Sequence, residues 1–302
     1  MTGNAQSRAL GHKRRFPPWL TRRLRPVSSA ATVLGTITDL GLMTVCDEAH
    51  CPNRAECYGR GTATFLILGP NCSRSCRFCA ISSGRPAPPR EREPEAVARA
   101  CRRLRLRHVV VTSVTRDDLP DGGAGHFVGT IRAIRALLPA ATIEVLVPDF
   151  QGRERDVEAT LDATPDVFGH NVETVPRLYR EVRPGADYSR SLGVLEHAGR
   201  HTRSRGMRAR TKTGIMVGLG ETHEEVSQVM RDLRNVGCDM LTIGQYLSPS
   251  PTHVPVARFV EPREFRSWHE EATALGFKAI SAGPFVRSSY QAESLQRSLP
   301  PL

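Results

Sequence analysis

Six of the eight cysteines in this 302-residue chain fall between residues 46 and 79, in two groups of three. The second group, Cys72, Cys76 and Cys79, reads CSRSCRFC, a C-x3-C-x2-C spacing. Three thiolates this close in sequence can converge on one centre, and soft sulfur ligands select an iron–sulfur cluster or zinc over harder ions. With only three protein ligands, one metal position stays open to a substrate or cofactor, the feature that separates catalytic from structural zinc sites. A zinc knuckle with its fourth ligand elsewhere is the alternative. The first group, Cys46, Cys51 and Cys57 in TVCDEAHCPNRAEC, has a C-x4-C-x5-C spacing that fits no common zinc finger. It too is one ligand short of four. Cys101 and Cys238 stand alone inside helical patterns and read as inert core thiols.

Such ligands need a scaffold, and from Thr62 onward short β-branched runs alternate with helical patterns, the signature of parallel βα units. The runs start at residues 62, 108, 142, 167, 210 and 240, and a last one, KAISAGP, starts at 278. Helix candidates begin near Pro94, His126, Glu154, Arg190, His223 and Pro262, most with apolar residues at i, i+3, i+4 and i+7, as in HFVGTIRAIRALL. Six βα units predict an α/β chain folded as a partial or complete barrel, and such barrels place their chemistry at the C-terminal ends of the strands. The first run ends at Leu68, so Cys72, Cys76 and Cys79 fall in the loop over the barrel mouth.

The formal charge is +11, from 42 basic and 31 acidic residues. Almost all of the basic residues are Arg, the lysines being Lys13, Lys212 and Lys278. That bias fits a GC-rich coding sequence as well as it fits an acidic partner. Residues 1 to 30 hold seven basic side chains, Arg8 and Arg25 outermost, and no acid. They read as a transit peptide or a disordered basic arm, while Trp19 and Leu20 beside Pro17 and Pro18 suggest a strip lying on the body of the protein. No window approaches the roughly 18 uninterrupted apolar residues of a membrane helix, and the N-terminus lacks the apolar core of a secretory signal. The expectation is a cytoplasmic protein whose clustered thiols serve metal chemistry, with no membrane partner. No basic and aromatic interleaving of the kind that stacks bases stands out, which argues against nucleic acid as a partner.

C-x3-C-x2-C after a first barrel strand, with Phe78 just before the last cysteine, resembles the radical S-adenosylmethionine superfamily. The pair of triads resembles one family within it, the lipoyl synthases, and so do VTSVTRDDLPDGGAGHF, NVETVPRLYREVRPGADYSRSL, MVGLGET, DMLTIGQYL and GPFVRSSY. The likeness covers most of Val45 to Tyr290, and the PPWL strip shares in it. It implies a (β/α)6-type partial TIM barrel over residues 61–260, an N-terminal extension over 1–60 carrying the first triad, and a C-terminal helix, strand and RSSY segment over 261–302. The two extensions would together carry an auxiliary cluster.

The same resemblance implies two [4Fe–4S] clusters and S-adenosylmethionine as cofactors. Cys72, Cys76 and Cys79 would hold the catalytic cluster, whose open iron takes the methionine moiety and releases a 5′-deoxyadenosyl radical. Cys46, Cys51 and Cys57 would hold the auxiliary cluster, with a serine of RSSY as fourth ligand: Ser289, or Ser288 as the alternative. The implied reaction, the final step of protein lipoylation, inserts two sulfur atoms at C6 and C8 of an octanoyl chain on a carrier-protein lysine, the auxiliary cluster serving as sulfur donor. Partners so implied are octanoylated lipoyl-carrier domains, an electron donor such as ferredoxin or flavodoxin, and an iron–sulfur cluster carrier.

Around S-adenosylmethionine, the resemblance points to Phe78, Asn171, Glu173 and Arg183. Asn171 and Glu173, at the end of the fourth run, would contact the ribose or methionine part, or else be a helix-capping pair. Arg183 has the planar fork to pair with a carboxylate. The glycines of GIMVGLGE would let backbone approach the adenine, although turns and packing also use glycine. Asp117, Asp118 and Asp121 would shape the cofactor or substrate side, and His50, His108, His126, His170 and His253 read as loop, capping or packing residues.

Overall fold

The computed structural model describes residues 16–21, 29–60 and 62–297. The basic cluster from Arg8 to Arg15 and that from Arg22 to Arg25 lie outside these residues. Among the described residues eight strands form one sheet in sequence order: β1 (Met43–Thr44), β2 (Thr64–Ile67), β3 (His108–Ser113), β4 (Thr142–Leu146), β5 (Val167–Gly169), β6 (Arg210–Val217), β7 (Met240–Gln245) and β8 (Ala279–Gly283). β1 runs antiparallel to β2, and every later neighbour is parallel. The order ends at β1 and β8 without a pairing between them, so the sheet is a barrel left open on one side.

Helices α1 (Ser29–Asp39), α2 (Val45–Glu48) and α3 (Arg54–Gly59) precede the parallel strands. Between and after the strands come α4 (Glu93–Arg103), α5 (Ala124–Leu137), α6 (Glu154–Asp162), α7 (Tyr179–Val182), α8 (Tyr188–Ser204), α9 (His223–Asn235), α10 (Pro262–Ala274) and α11 (Ala292–Arg297). Six of them, α4, α5, α6, α8, α9 and α10, are the crossovers that the periodicity predicts. Their starts have local causes. Thr222 and Glu225 close a capping box on α9, Glu261 and Glu264 close one on α10 ahead of Pro262, and Asp187 accepts from Arg190 N to start α8. No helix among the described residues is long and apolar enough to cross a membrane.

Two large apolar clusters form most of the core, and a small third joins Val167, Met240, Ala279 and Leu295. One of the large pair packs β2 to β5 against α4, α5 and α6 around Phe65, Phe127 and Phe150, and the other packs β6 and β7 against α9 and α10 around Trp268. Inside the barrel Lys212 Nζ donates to Glu144 Oε1 at 2.7 Å, with both side chains buried and His108 Nε2 3.5 Å from Glu144 Oε2. Burial alone would raise the Glu144 carboxyl, but the Lys212 charge holds it below its ordinary value. A lysine in such a place survives only as half of a pair.

Two local readings change. Cys238 is buried as expected but sits in the turn between α9 and β7, after Val236 has capped the helix, because Gly237 takes the left-handed conformation there. β5 stops at Gly169, so Asn171 and Glu173 lie beyond the strand, and no helix starts on either of them. Segment 261–302 supplies a strand to the sheet itself, since β8 pairs with β7. The Pro18–Leu20 turn does lie on the body: Leu20 is buried, and the Phe16 ring sits 5.7 Å from that of Phe259.

Candidate active site

The loop after β2 is tied down at several points. Cys72 N donates to Ser82 O, Gly84 N to Cys72 O and Cys79 N to Cys76 O, which folds residues 72–84 back on themselves. Ser73 N reaches Thr115 O, beyond β3, and Arg77 lies between Val182 O and Val254 N. His253 Nε2 meets Cys79 O at 3.0 Å. The Cys72 sulfur accepts from Thr115 N and Arg74 N at 3.3 and 3.4 Å, the kind of N–H···S contact that settles a thiolate.

Arg74, between Cys72 and Cys76, is the main anchor and was not legible as such in the sequence. Its fork donates to both oxygens of Asp117 at 2.6 and 2.9 Å and to both oxygens of Asp149 at 2.7 and 2.9 Å. The Arg74 side chain is 8% exposed and that of Asp149 1%. Burial alone would raise the Asp149 carboxyl, yet hydrogen bonds and charge from Arg74 hold it well below the usual carboxylate range. Asp117 thus shapes the site through the cysteine loop. Asp118 instead pairs with Arg116, and Asp121 accepts from Gly123 N and Gly125 N at the start of α5.

Removing one partner of such a buried pair costs about 3–5 kcal/mol, and Arg190, 3.3 Å from Asp149, offsets part of that loss. Arg74→Met is therefore expected to lower the denaturant midpoint, with iron retention falling at the second triad before the first. A folded pKa held low contributes stability above the unfolded carboxylate value of about 4 and loses it as pH falls. Acid unfolding of the wild type should therefore lose an increment that Arg74→Met lacks. Equal acid sensitivity in the two proteins would count against the clamp.

The cysteine loop roofs a cavity of about 490 Å³, the size of a site for a drug-sized or cofactor-sized ligand. Its walls include Cys72, Cys76, Cys79 and Phe78 from the loop, Asn171, Glu173 and Arg183 from beyond β5, and Cys46, Cys51, Ser288 and Ser289 from the two ends of the chain. Asn171 Nδ2 donates to Glu173 Oε1 at 3.0 Å and to Ser288 Oγ at 2.7 Å. Glu173 sits at φ 65°, tied to β6 through Gly214 O and Met216 N, and burial pushes its carboxyl up against the opposing charge of Arg183. Arg183 NH1 donates to Asn171 O, Val172 O and the Tyr179 hydroxyl, which fixes the fork. Its Nε is buried without a partner, a donor that a bound carboxylate would satisfy.

His170 belongs to this wall as well. Its Nδ1 meets Val147 O at 2.9 Å, its Nε2 is buried without a partner, and burial pushes its pKa down to about 4, so the ring is neutral. The available signal was its position one residue past a strand end. Two glycines leave room within the fold itself. A Cβ on Gly214 would lie 2.8 Å from Ser288 Oγ and 2.9 Å from Asn171 Oδ1, and one on Gly244 would lie 2.1 Å from Val286 O. Their missing side chains make room for the chain's own C-terminal segment crossing β6 and β7.

That segment meets the first triad at a second cavity of about 250 Å³, lined by Cys46, Cys51, Cys57 and Ser289 but not by Ser288. Asn53 Nδ2 donates to Phe285 O at 2.6 Å, and the Tyr290 hydroxyl donates to Glu56 Oε1 at 3.0 Å, joining positions 232 and 234 residues apart. The first triad's own loop is held by Thr44, whose hydroxyl bonds to Asp47 Oδ2 and to the Tyr58 hydroxyl. Burial pushes the Cys46 and Cys79 thiols up to about 12 and that of Cys57 to about 11. Thiolates there need a cationic partner, although the solitary Cys101 and Cys238 are raised too, so convergence is the stronger sign.

The donor set fits iron–sulfur clusters better than single ions. One tetrahedral zinc would draw its sulfurs to about 3.8 Å apart. Among the described residues, the one place where three Cys, His, Asp or Glu ligand atoms lie within 4.8 Å of one another is not at either triad. The wider spread of the sulfurs suits a cluster, which presents a separate iron to each.

Comparison with known proteins agrees. The model of the radical SAM superfamily matches residues 66–233. The chain is 53% identical to a lipoyl synthase of Caldanaerobacter subterraneus subsp. tengcongensis, covering 92% of this chain and 96% of that protein. It is 51% identical to a lipoyl synthase of Chlorobaculum parvum, covering 93% and 94%. Among solved structures, a methylornithine synthase superposes with a TM-score of 0.53 at 14% identity, covering 84% of this chain and 78% of that one. A maturase of the [FeFe]-hydrogenase superposes with 0.54 at 14%, covering 84% and 68%. These two likenesses bear on the fold alone. With one cysteine triad and two cysteines of the other on one cavity, an open parallel barrel beneath them and relatives matched over nearly their whole length, the chain belongs to the lipoyl synthase family of the radical S-adenosylmethionine superfamily.

Proposed function

We propose that this protein completes protein lipoylation by inserting two sulfur atoms, at C6 and C8, into an octanoyl chain on a carrier-protein lysine. The observation that carries the reading is the shared cavity: the second triad, Cys46 and Cys51 of the first, Arg183 and Ser289 all line one space. A radical site and a sulfur source must both reach the same acyl chain, so they must face one another across it. When bound, a [4Fe–4S] cluster with S-adenosylmethionine supplies a 5′-deoxyadenosyl radical, and the auxiliary [4Fe–4S] cluster supplies sulfide.

The chain's own residues do the rest. Cys72, Cys76 and Cys79 would hold the catalytic cluster with three thiolates, one ligand short of four. Arg183 would meet the cofactor carboxylate, Asn171 and Glu173 its amino or ribose groups, and Phe78 stands in the loop beside Cys79. Cys46, Cys51, Cys57 and Ser289 hold the auxiliary cluster. Serine oxygen is a harder ligand than thiolate and matches iron less well, so the iron it holds is the one most easily released. The apolar walls, Leu66, Leu146, Val147 and Ile215 among them, suit an alkyl chain and keep water from a carbon radical.

A reducing cytoplasm would keep the six thiols free for cluster assembly. The reaction also requires an octanoylated carrier domain, an electron donor of the ferredoxin or flavodoxin kind, and a cluster carrier to rebuild what is consumed.

The test is an anaerobic incubation of cluster-loaded protein with an octanoyl-lysyl peptide, S-adenosylmethionine and reductant, read by mass spectrometry. The expected result is 5′-deoxyadenosine together with dithiolated peptide, limited to about one per auxiliary cluster and at two cofactors consumed per lipoyl group. Deoxyadenosine without thiolated peptide would overturn the substrate assignment.

A further inference from the structure

On the outer face of the barrel, away from both cavities, α6 and α8 lie side by side with two histidines on one and carboxylates on the other. His197 and His201 stand one turn apart on α8, and Glu158 and Asp162 one turn apart on α6. Helix geometry puts each i, i+4 pair on a single face. Both rings are buried, while Glu158 and Asp162 are 41% and 49% exposed at their side chains, so the cluster lies just under the surface and open to ions. We propose that Glu158, His197 and His201 form a divalent transition-metal site, of the kind zinc takes, which clamps α6 to α8.

The hydrogen bonds sort the ring atoms into roles. His201 Nε2 lies 2.9 Å from Asp162 Oδ1 and donates to it, which leaves Nδ1 with its lone pair toward Glu158 Oε1 at 3.7 Å. That separation is too long for a hydrogen bond but close to the roughly 3.3 Å edge of a tetrahedron with ligands at about 2.0–2.1 Å from zinc. Carboxylate, imidazole and metal in line is the usual way a second carboxylate fixes a ligating histidine. His197 presents Nε2 to the same Glu158 oxygen at 3.0 Å. Its Nδ1 lies 2.9 Å from Arg200 NH2 and 3.1 Å from Glu154 Oε1, so when Nε2 takes a metal the ring proton moves to Nδ1 and is donated to Glu154 in place of the Arg200 contact. One ligand atom from each of the three residues lies within 4.8 Å of the others.

Charge favours a cation there as well. Glu154 Oε1 is 3.1 Å from His197 Nδ1, so Glu154, Glu158 and Asp162 surround the rings with three carboxylates against the single Arg200 guanidinium. Two imidazoles and one carboxylate are borderline donors that zinc accepts, and they leave a fourth position for water. Paired His at i, i+4 on one helix face is a known ligand geometry, here completed from a neighbouring helix. The clamp sits behind functional parts: the chain before α6 carries Asp149, and Arg190 of α8 reaches Asp149. A metal joining the two helices would stiffen the scaffold on which the cysteine loop is anchored.

The test uses the holoenzyme with both clusters assembled, so that the six cysteines are occupied, dialysed against zinc buffered at about 1 µM free ion, a concentration at which a three-ligand protein site fills. Total zinc and iron are then measured, and thermal unfolding is followed with and without zinc. The expected result is about one zinc per chain and a Tm raised by zinc. Both are lost in His201→Ala, and zinc affinity falls at least about tenfold in Glu158→Gln, while iron content stays at the wild-type level. Glu158→Gln keeps the size and hydrogen-bonding reach of a half-exposed side chain, so its fold is not in question. No retained zinc in the wild type, or zinc retained equally by His201→Ala and Glu158→Gln, would overturn the proposal.

Discussion

Cys76→Ala is expected to reduce 5′-deoxyadenosine formation by at least about a thousandfold while leaving about half of the iron in the protein, the share of one [4Fe–4S] cluster of two. Cys76 faces the cavity where Arg183 and Glu173 both act on it electrostatically, and its carbonyl accepts from Cys79 N in the turn that presents both sulfurs. With one thiolate missing, two remain to hold that cluster. The two solitary cysteines cannot substitute, because Cys101 and Cys238 are buried in other parts of the core. The auxiliary triad should survive, since it is held by different contacts, from Thr44, Tyr58 and Asp47 and from Asn53 to Phe285. Iron analysis and mass spectrometry on the same preparation check both halves. Undiminished deoxyadenosine would remove these cysteines from the radical site, and loss of all iron would mean that the triads serve one centre.

Ser289→Ala and Ser288→Ala should fail in different ways. Ser289 shares the smaller cavity with Cys46, Cys51 and Cys57, so its loss should leave deoxyadenosine formation within a few-fold of wild type and lower thiolated peptide by about a hundredfold. Ser289→Cys should keep the iron but lower sulfur transfer, because a fourth thiolate holds iron more firmly than an alkoxide does. Ser288 accepts from Asn171 at 2.7 Å, and Asn171 in turn donates to Glu173. Losing that bond, worth about 0.5–1.5 kcal/mol, should raise the KM for S-adenosylmethionine several-fold with sulfur transfer per turnover unchanged. If Ser288→Ala were the variant that lost sulfur transfer, the ligand assignment would be exchanged.

The different fates of the two serines show how far a sequence can be read. Neighbours in an RSSY motif have the same chemistry and spacing, and nothing local separates them. Their surroundings diverge because Gly214 leaves room for Ser288 beside Asn171, while Ser289 lines the cavity of the first triad. Arg74 shows the same limit. Between two cysteines it is one arginine among many, and it becomes an anchor only because the ends of β3 and β4 bring Asp117 and Asp149 to the same point.

The six clustered thiols, the alternation of strand and helix and the position of the second triad at a strand's C-terminal end are all legible along the chain. These are local properties: ligand spacing over a few residues, and periods of two and 3.6 that a short window reveals. The readings that failed were also local, the helical environment of Cys238 and a β5 extended to Glu173, where a left-handed Gly237 and a short parallel pairing set the boundary. It took the packed fold to show that Cys46 and Cys51 line the same cavity as the second triad, that Asn53 and Glu56 hold Phe285 and Tyr290 across more than 230 residues, and that His170 buries an unpaired nitrogen in the wall. The reason is physical. Which distant groups meet, and which of their polar atoms are left without partners, follows from how the barrel packs and what it buries, and no window along the chain carries that information.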